Sequence, residues 1–566
     1  MSVQLSQRFD VIVVGSGAAG SIAVKELTER GLEVLLLEAG PDISDADFAP
    51  LPPEPVRPMG IGLYPRAKAA VLRRQPIQVR RAFFSEKTSP FLVNDLQNPY
   101  SVTGQDFLWV RGRQLGGRLH SYGRVLLRSS DYDFDGGAGR ERGAQRWPLR
   151  YADAEPWYDR VEEFLGLYGN TDDVPILPDG KYIGASSLTA AEQDFAEKTR
   201  ERWPERRGIA WRYAAPNPQR VPLGILAARR TGGLITRTDA VVRQITIDDR
   251  TGLADGALFI DRVTKREHRV FADIVMLCAS TIESVRLLAN SGSSRHPNGL
   301  ANSSGLVGRY FMDQTPSLLF GDTPRFPGWE DDTSAPADAY YGAAGGLYLP
   351  MMEGFAADSP FVGGYAVQGV LGRIPVPTGH PGAVGMMGFG EMLPHKENHI
   401  TLHRRRTDAW GVPIPRIHVT LTDNEKALLR EQVRGMREMA ENAGVRVNFA
   451  GSTLGLDSKR VFPDADPFSR AIFRASFTKS LAIGAAIHEC GGARMGNEPA
   501  TSVLNPFNQA WDVPNLFVTD ASCYVTNGIV GPTLTIMALT ARACAHIASE
   551  HAAGNLTRHR AGTVAE

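Results

Sequence analysis

The hydrophobic pattern at the start of the chain predicts two short buried strands with a helix between them. Residues Val11 to Val14 form a continuous apolar run, and Val34 to Leu37 form a second one. Such runs are typical of strands that are buried on both faces of a parallel sheet. Ala18 to Arg30 carry a helical pattern between them. We therefore predict a β-α-β unit from Phe9 to Gly40.

The turn inside this unit has the glycine spacing of a dinucleotide-binding loop. Gly15, Gly17 and Gly20 follow the pattern G-x-G-x-x-G directly after the first predicted strand. The first glycine allows a tight turn, the second lets the backbone approach a pyrophosphate, and the third lets helix and strand pack closely. The second strand ends on Glu38, which is placed to bind the ribose hydroxyls of the adenosine. An acid at this position suits a free 2′-hydroxyl and disfavours NADP, so FAD and NAD remain as the candidate cofactors.

Between residues 41 and 315 the pattern changes several times. Pro41 to Tyr100 is rich in proline and polar residues and predicts a long irregular excursion over the surface, interpreted as a cofactor cover. A helix is predicted to begin near Tyr151, whereas Ile176 to Ile225 reads as irregular. Strand patterns follow over Leu234 to Ile247 and over Val270 to Leu277.

In the second half of the chain, short alternating runs from about Pro316 to Gly388 predict an antiparallel sheet. Asn398 to Val419 predicts a hairpin, and Asn424 to Ala443 predicts an amphipathic helix. Leu516 to Val518 then reads as a buried strand. A last helix is predicted over Pro532 to Ile547, with an amino end able to point at a negative or electron-rich ring edge.

Composition narrows the class of protein. The chain has 62 basic and 62 acidic residues, with 43% hydrophobic and 22% charged residues. These values are typical of a soluble globular protein and give no net field for nucleic acid. No stretch of about 18 apolar residues predicts a membrane span.

The four cysteines indicate the compartment. No two of them form a C-x-x-C pair, so neither a disulfide framework nor a zinc site is predicted, and we expect no metal. The first ten residues lack the features of a secretory signal. A reduced, cytoplasmic protein is expected, although export on the signal of a partner stays open.

Four ordered segments resemble one enzyme family. They are FDVIVVGSGAAG with LLLEAG, RGRQLGGR, HECGGARMG, and NLFVTDAS with GPTLTIMALTARA. The chain resembles the glucose-methanol-choline (GMC) oxidoreductases, FAD enzymes that oxidise alcohols, over nearly its whole length. The segments WVRGRQLGGR, WPLRYADAEPWYD and TSVLNPFNQ are similar to the branch of sugar 3-dehydrogenases and pyranose oxidases.

The resemblance implies an α/β fold in which a Rossmann-like FAD-binding domain carries an inserted α+β substrate domain built on an antiparallel sheet. We assign residues 1–150, 226–315 and 471–566 to the FAD-binding domain, and residues 151–225 and 316–470 to the substrate domain. The residues expected to bind FAD are Gly15, Gly17, Ala18, Ala19, Gly20, Glu38, Ala39, Arg113, Gly116, Gly117, Val242, Asp520, Gly531, Pro532 and Thr533.

The resemblance also implies a catalytic histidine at His488. A histidine has an unperturbed pKa of about 6.5 and can accept a proton near neutrality. The family usually has asparagine or histidine directly before the proline of its N-P-T-L-T segment, but this chain has Gly531. Asn527 replaces that partner, or a more distant group such as His120 does, or His488 acts alone.

The expected mode of FAD binding is non-covalent. Some pyranose oxidases carry the flavin on a histidine after the glycine pair, but Ser121 stands at that position here and His120 is displaced by one residue. A histidine hydrogen-bonded within its loop is the simpler interpretation of His120.

The function implied is oxidation of a CH–OH group on a sugar, glycoside or amino sugar, by hydride transfer to FAD with His488 as base. A natural-product tailoring enzyme that oxidises an aminoglycoside-type alcohol is one alternative, and a non-redox lyase or an inactive scaffold is another. The partners expected are a polyhydroxylated small molecule and an electron acceptor, either oxygen or a redox carrier. The sequence does not fix the oligomeric state.

Overall fold

The computed structural model describes residues 7–43, 45–48, 63–82, 84–142, 145–325, 345–352, 354, 359–374, 376, 379–457, 461–462 and 466–556. Part of the predicted cofactor cover, residues 44, 49–62 and 83, lies outside the described residues. So do the first six residues and the last ten, together with part of the predicted antiparallel sheet region.

The described residues contain the following strands, numbered in chain order: β1 Arg8–Val14, β2 Val34–Leu37, β3 Ser101–Gly104, β4 Leu167–Tyr168, β5 Ile209–Ala210, β6 Tyr213–Ala214, β7 Leu234–Arg237, β8 Ala240–Ile247, β9 Ala254–Asp261, β10 Glu267–Leu277, β11 Thr315–Thr323, β12 Leu347–Met351, β13 Tyr365–Leu371, β14 Gly382–Gly390, β15 His399–Thr407, β16 Pro413–Val419, β17 Arg446–Ser452, β18 Gly455–Leu456 and β19 Leu516–Val518.

The described helices are α1 Ala18–Thr28, α2 Leu63–Leu72, α3 Asp131–Phe134, α4 Tyr151–Leu165, α5 Ala190–Arg202, α6 Leu223–Thr231, α7 Thr281–Asn290, α8 Asp423–Asn442, α9 Pro467–Ser480 and α10 Thr533–Ala552. In the part of the chain described here, no helix is long and apolar enough to cross a membrane.

One sheet contains the predicted dinucleotide unit. Its strand order is β7-β2-β1-β10-β9-β8, and β19 also pairs with β10. Strands β7, β2, β1, β10 and β19 run parallel, and β9 is antiparallel to β10. All four residues of β2 are buried, as a strand covered on both faces requires. The Rossmann-like part of the predicted fold is confirmed.

A second sheet is built from the middle of the chain. Its order is β18-β17-β11-β14-β13-β12-β5, and the pairs β11–β14, β13–β14, β12–β13 and β11–β17 are antiparallel. Helix α8 covers one face, where Leu428 and Met436 join the same buried cluster as Val367 and Met386 of the sheet. The predicted antiparallel substrate sheet with its amphipathic helix is confirmed.

Two local predictions are wrong. Ile176 to Ile225 is not irregular, because α5 occupies its centre. The N-cap Thr189 accepts a hydrogen bond from the N–H of Glu192, and the carboxylate of Glu192 accepts one from the N–H of Thr189. Few apolar positions mark this charged helix, so its hydrophobic pattern is weak. The excursion after Gly40 likewise contains the helix α2.

The strand predicted over Leu234 to Ile247 is divided in two. Asp239 has a φ of +56°, a left-handed conformation that interrupts an extended run. Strand β7 ends before this residue and joins the parallel edge beside β2, whereas β8 begins after it and pairs with β9. The kink brings the start of β8 next to the end of β2.

Candidate active site

The glycine loop after β1 packs closely at two glycines and is open at the third. A β-carbon on Gly15, whose φ is +98°, would lie 2.5 Å from the carbonyl oxygen of Cys278. A β-carbon on Gly20 would lie 1.8 Å from the carbonyl oxygen of Gly15. One on Gly17 would meet no described atom within 4 Å. The open space at Gly17 is the room that a pyrophosphate needs beside the amino end of α1, which begins with Ala18 and Ala19.

A second glycine turn faces the first. The N–H of Gly116 donates to Oγ of Ser16 at 2.9 Å. A β-carbon on Gly117, whose φ is +53°, would lie 3.7 Å from the Cα of Gly17. The two turns therefore lie side by side, and the open space at Gly17 forms a cleft beside them that a side chain at Gly17 would narrow. This cleft fits the pyrophosphate of a flavin dinucleotide.

Glu38 ends β2 at the edge of this cleft. Its Oε2 accepts hydrogen bonds from the N–H of Ser16 at 3.2 Å and from the Ser16 hydroxyl at 2.5 Å. Its Oε1 accepts from the N–H of Gly40 at 2.8 Å. Burial raises the pKa of the Glu38 carboxyl, although these hydrogen bonds oppose that rise. The carboxylate thus ties the glycine turn to the segment after β2.

Three other residues expected to bind FAD, Ala39, Arg113 and Val242, lie around this segment. The N–H of Ala240 donates to the carbonyl of Glu38 at 2.8 Å, which places β8, with Val242, beside the end of β2. Ala39 packs against the cluster that contains Val241. A β-carbon on Gly40 would lie 1.8 Å from the carbonyl oxygen of Arg113.

Asp520 follows β19 and is buried. Its carboxylate accepts hydrogen bonds from the hydroxyl and N–H of Ser522, at 2.6 and 3.0 Å, and from the hydroxyl of Ser284 on α7. Asp520 therefore joins the turn after β19 to the first turns of α7. Helix α10 begins at Thr533 after Pro532, so its positive end lies directly after Gly531.

His488 lies in the loop that precedes Cys490. Its N–H donates to Oδ1 of Asp313 at 2.9 Å, and its Nδ1 lies 2.5 Å from Oε1 of Gln314. A β-carbon on Gly531 would lie 3.2 Å from Nε2. Burial, with a smaller contribution from the positive charge of Arg118, lowers the pKa of His488 to about 3. The imidazole is therefore neutral near pH 7.

Arg118 connects the second glycine turn with the histidine segment. Its Nη1 donates to Oε2 of Glu489 at 2.7 Å, and its Nη2 donates to the Ser280 hydroxyl at 3.0 Å. The Glu489 side chain is 1% exposed, so its charge is compensated by Arg118 rather than by water.

Asn527 is held by the protein on both sides of its amide. Its Oδ1 accepts from the N–H of Met392 at 3.1 Å, and its Nδ2 donates to the carbonyl of Asp313 at 2.9 Å. These bonds fix Asn527 between two loops that border His488. One amide hydrogen has no partner among these contacts.

A small cavity joins these side chains. Its volume is about 10 Å³, enough for about one water. The lining includes both His488 and Asn527, and the full set is Ser129, Asp133, Phe134, Trp147, Gln314, His488, Cys490, Tyr524, Thr526, Asn527, Gly528, Val530 and Pro532.

His120 lies in the loop away from this cavity lining. It is 2% exposed, and its Nε2 lies 2.8 Å from the carbonyl oxygen of Leu115. Its ring packs against Phe48 and Phe91, with centroids 5.3 and 5.4 Å away. The structure does not bring His120 and His488 together, so we do not consider His120 the substitute for the partner missing at Gly531.

Sequence reasoning missed four polar residues of the site: Asp313, Gln314, Arg118 and Glu489. Asp313 and Gln314 are hydrogen-bonded to His488. Glu489 follows His488 in the chain and pairs with Arg118, whose charge acts on the imidazole. One signal was present, because Asp313 and Gln314 follow the apolar pair Phe311 and Met312 directly before a strand, where two buried polar side chains need partners.

Three potential metal ligands meet at the other end of β1 from the glycine loop. Atoms of Asp10, Asp273 and His551 lie within 4.8 Å of one another. Arg8 forms an ion pair of 2.5 Å with Asp273, so part of the negative charge is already compensated. We assign no metal to this group.

Comparison with known proteins agrees with this geometry. Residues 394–540 match the C-terminal domain of GMC oxidoreductases, and residues 13–46 match an NAD(P)-binding Rossmann-like domain. The 2-methyl-1,2-propanediol dehydrogenase of Mycolicibacterium austroafricanum is 29% identical over 94% of both chains. The paromamine 6'-oxidase of Streptomyces fradiae is 25% identical, over 96% of this chain and 92% of its own.

A solved structure shows the same fold. The formate oxidase of Aspergillus oryzae RIB40 superposes with a TM-score of 0.66 at 15% identity, over 97% of this chain and 99% of that one. The carboxyl-terminal part of the chain is a GMC oxidoreductase domain, and the chain is similar over nearly its whole length to the propanediol dehydrogenase and the paromamine oxidase named above.

Proposed function

We propose that this oxidoreductase oxidises a CH–OH group of a sugar, glycoside or amino sugar, with His488 as the base. The observation that carries the proposal is the position of His488, which lines a cavity and whose Nε2 faces Gly531 directly before the positive end of α10. A neutral imidazole nitrogen can take the proton of a substrate hydroxyl.

The chemistry divides between the cofactor and the chain. FAD, when bound, supplies the acceptor for the hydride that leaves the substrate carbon. The chain supplies the proton acceptor at His488 and encloses the site. Phe389, whose ring centroid lies 5.2 Å from that of His488, covers the imidazole from the second sheet. Such a cover excludes water and strengthens the electrostatic interactions inside.

Two accounts of hydroxyl binding follow from the missing side chain at Gly531. In the first, Asn527 uses its remaining amide hydrogen to hold the substrate hydroxyl. In the second, Gly531 gives room to a bulky substrate, and Asn527 only fixes the loops around His488. Its bonds to Met392 and Asp313 support the second account.

One feature of the cavity favours an amine-bearing sugar as the substrate. Asp133 lines the cavity, is buried, and has an Oδ1 without a hydrogen-bond partner among the described residues. Burial raises the pKa of Asp133 to about 6, and an ammonium group nearby would restore the charged form. The paromamine 6'-oxidase named above is consistent with this choice of substrate.

We further propose that the protein works in the cytoplasm and passes its electrons to oxygen or to a redox carrier. All four cysteines are free and buried, which suits a reducing compartment. Oxygen uptake during turnover tests the acceptor.

Anaerobic flavin reduction tests the function. The purified protein is expected to be yellow and to release FAD on acid denaturation. Sugars, glycosides, amino sugars and small alcohols are then added without oxygen, and bleaching of the flavin is followed. His488→Ala should keep the FAD and slow reduction by about 10²- to 10⁴-fold, the usual contribution of a positioned acid–base group.

The same screen separates the alternatives. Cleavage of a substrate without bleaching would indicate a lyase, and no reaction with any class would indicate an inactive scaffold. Unchanged reduction in His488→Ala would overturn the proposed base.

A further inference from the structure

The side-chain amide of Gln314 has a fixed orientation. It is 1% exposed, and its Nε2 lies 2.5 Å from the carbonyl oxygen of Gly528 and 3.1 Å from that of Val530. Carbonyl oxygens only accept hydrogen bonds, so the atom that faces them must be the NH₂ group. The oxygen of the amide therefore faces His488.

This orientation determines which nitrogen of His488 carries the proton. Oε1 of Gln314 lies 2.5 Å from Nδ1 of His488, and an amide oxygen can only accept. Nδ1 must then donate, and a neutral imidazole has one N–H. Nε2 is consequently the unprotonated nitrogen, and it is the nitrogen that faces Gly531.

We propose that Gln314 is a positioning residue that holds neutral His488 in the Nδ1–H tautomer and thereby makes Nε2 the proton acceptor. The assignment of Nε2 as acceptor rests on the proposed function, whereas the tautomer does not. In the reaction the substrate O–H bond breaks and an Nε2–H bond forms, while bound FAD would accept the hydride that leaves the carbon.

The tautomer also limits the path of the proton. Gln314 has no titratable group, and its NH₂ already donates to two carbonyls. A proton taken up at Nε2 therefore does not pass through Nδ1 to a second base. It leaves His488 on the cavity side.

Titratable groups around the imidazole come from three elements. Arg118 lies on the loop of the second glycine turn, Glu489 is the next residue along the chain and pairs with Arg118, and Asp313 accepts the N–H of His488. None of the hydrogen bonds described for these groups involves Nδ1, so Gln314 alone sets the tautomer among the described residues.

Two substitutions in the FAD-loaded enzyme test the proposal. Gln314→Leu removes the acceptor, whereas Gln314→Glu keeps an oxygen acceptor at Nδ1 and loses the NH₂ group. Gln432→Leu is a matched control, because Gln432 is also buried and hydrogen-bonded beside β11 but bonds Thr315 and Ser317 instead.

The first readout is the nitrogen NMR spectrum of histidine-labelled protein, with the His488 signals assigned through His488→Ala. Wild type and the Gln432 control should show a protonated Nδ1 and an unprotonated Nε2. Gln314→Leu should show a mixture of tautomers. This readout needs no substrate, so it stands even if no alcohol reduces the flavin.

The second readout is flavin reduction against pH. Gln314→Leu should slow reduction by about 10- to 100-fold, part of what a positioned base supplies. Gln314→Glu should retain most of the rate and move the acidic limb to higher pH, because a carboxylate at Nδ1 stabilises the imidazolium. If Gln314 had a purely structural role, Gln314→Glu would slow flavin reduction as much as Gln314→Leu, because both variants lose the hydrogen bonds to Gly528 and Val530.

Three results would overturn the proposal. They are a protonated Nε2 in wild type, a Gln314→Glu variant as slow as Gln314→Leu with an unmoved pH profile, and a further loss from Gln314→Leu in the His488→Ala background. Failure of every alcohol to reduce the flavin, with the expected tautomer present, would instead overturn the proposed function.

Discussion

A β-carbon placed on Gly531 would lie 3.2 Å from Nε2 of His488 and 3.3 Å from its Cε1. Position 531 is therefore in direct contact with the side of the imidazole that we assign as the base. Its φ is not in the left-handed region, so the backbone accepts other residues. The glycine is thus interpreted as space beside the base rather than as a requirement of the chain.

This space predicts a size-dependent effect of Gly531→Asn. A β-carbon at this position is tighter than ordinary contact with Nε2, so the imidazole must also shift by a few tenths of an ångström. We expect KM to rise more for a bulky sugar substrate than for small alcohols. Anaerobic reduction with substrates of graded size measures this. Gly292→Ala is the control, because a β-carbon there makes only ordinary contacts with the protein.

Asn527→Ala separates the two accounts of hydroxyl binding. If Asn527 only fixes the loops at Met392 and Asp313, the variant should lower stability while reduction per bound flavin falls less than in His488→Ala. A rate loss as large as that of His488→Ala, with unchanged stability, would favour a direct contact with substrate. Rapid-reaction reduction and thermal unfolding together provide the comparison.

Arg118→Gln should move the acidic limb of the activity profile upward. The positive charge of Arg118 contributes to the low pKa of His488, and its removal also leaves Glu489 without its partner. Both changes favour the imidazolium, so the pKa of His488 should rise. Arg118→Lys keeps the charge and is the control, and an identical profile in both variants would contradict the assigned interaction.

Glu38→Gln should weaken the retention of FAD more than the turnover of each bound flavin. The substitution removes the carboxylate that accepts from Ser16 and Gly40, and Glu38 is not among the residues that line the cavity at His488. FAD content after dialysis, measured by absorbance, is the readout. Glu33→Gln on the exposed end of the same segment is the control, and full occupancy in Glu38→Gln would refute the assignment.

Asp313→Asn should flatten the dependence of stability on pH. Burial raises the pKa of Asp313 to about 8, with a further contribution from Glu489. The folded state therefore binds a proton between about pH 4 and 8 that the unfolded state has released, so stability falls as pH rises through this range. An amide mimics the protonated acid, and urea unfolding at pH 5, 6.5 and 8 should show a smaller loss in the variant.

The sequence predicts those features that depend on residues close together in the chain, and it does not predict those that depend on distant residues. The glycine loop, β2 and α10 carry local patterns, because the tight turn, the apolar runs and the helix entry are each set by neighbouring residues. The sequence also predicts that the middle region forms an antiparallel sheet. Its strand order is not predicted, because pairing between β11 and β17 depends on residues more than 120 positions apart.

The candidate site was predicted only where a motif marks it. His488 stands in such a segment, but its partner Gln314 lies 174 positions away, and nothing around Gln314 shows where its amide will point. The helix α5 was missed although its signals are local in the sequence. Its capping residues Thr189 and Glu192 were visible in the sequence, but its charged surface hides the helical period.

The central strand of the nucleotide-binding sheet has a consequence for synthesis of the protein. Strand β10 pairs on one side with β1, about 260 positions earlier, and on the other with β19, about 240 positions later. Contacts over such separations carry a large loop-closure entropy and form slowly. A nascent chain that ends before β19 leaves Val275 to Leu277 of β10 without this parallel neighbour, so the sheet is completed only after nearly all of the polypeptide has left the ribosome.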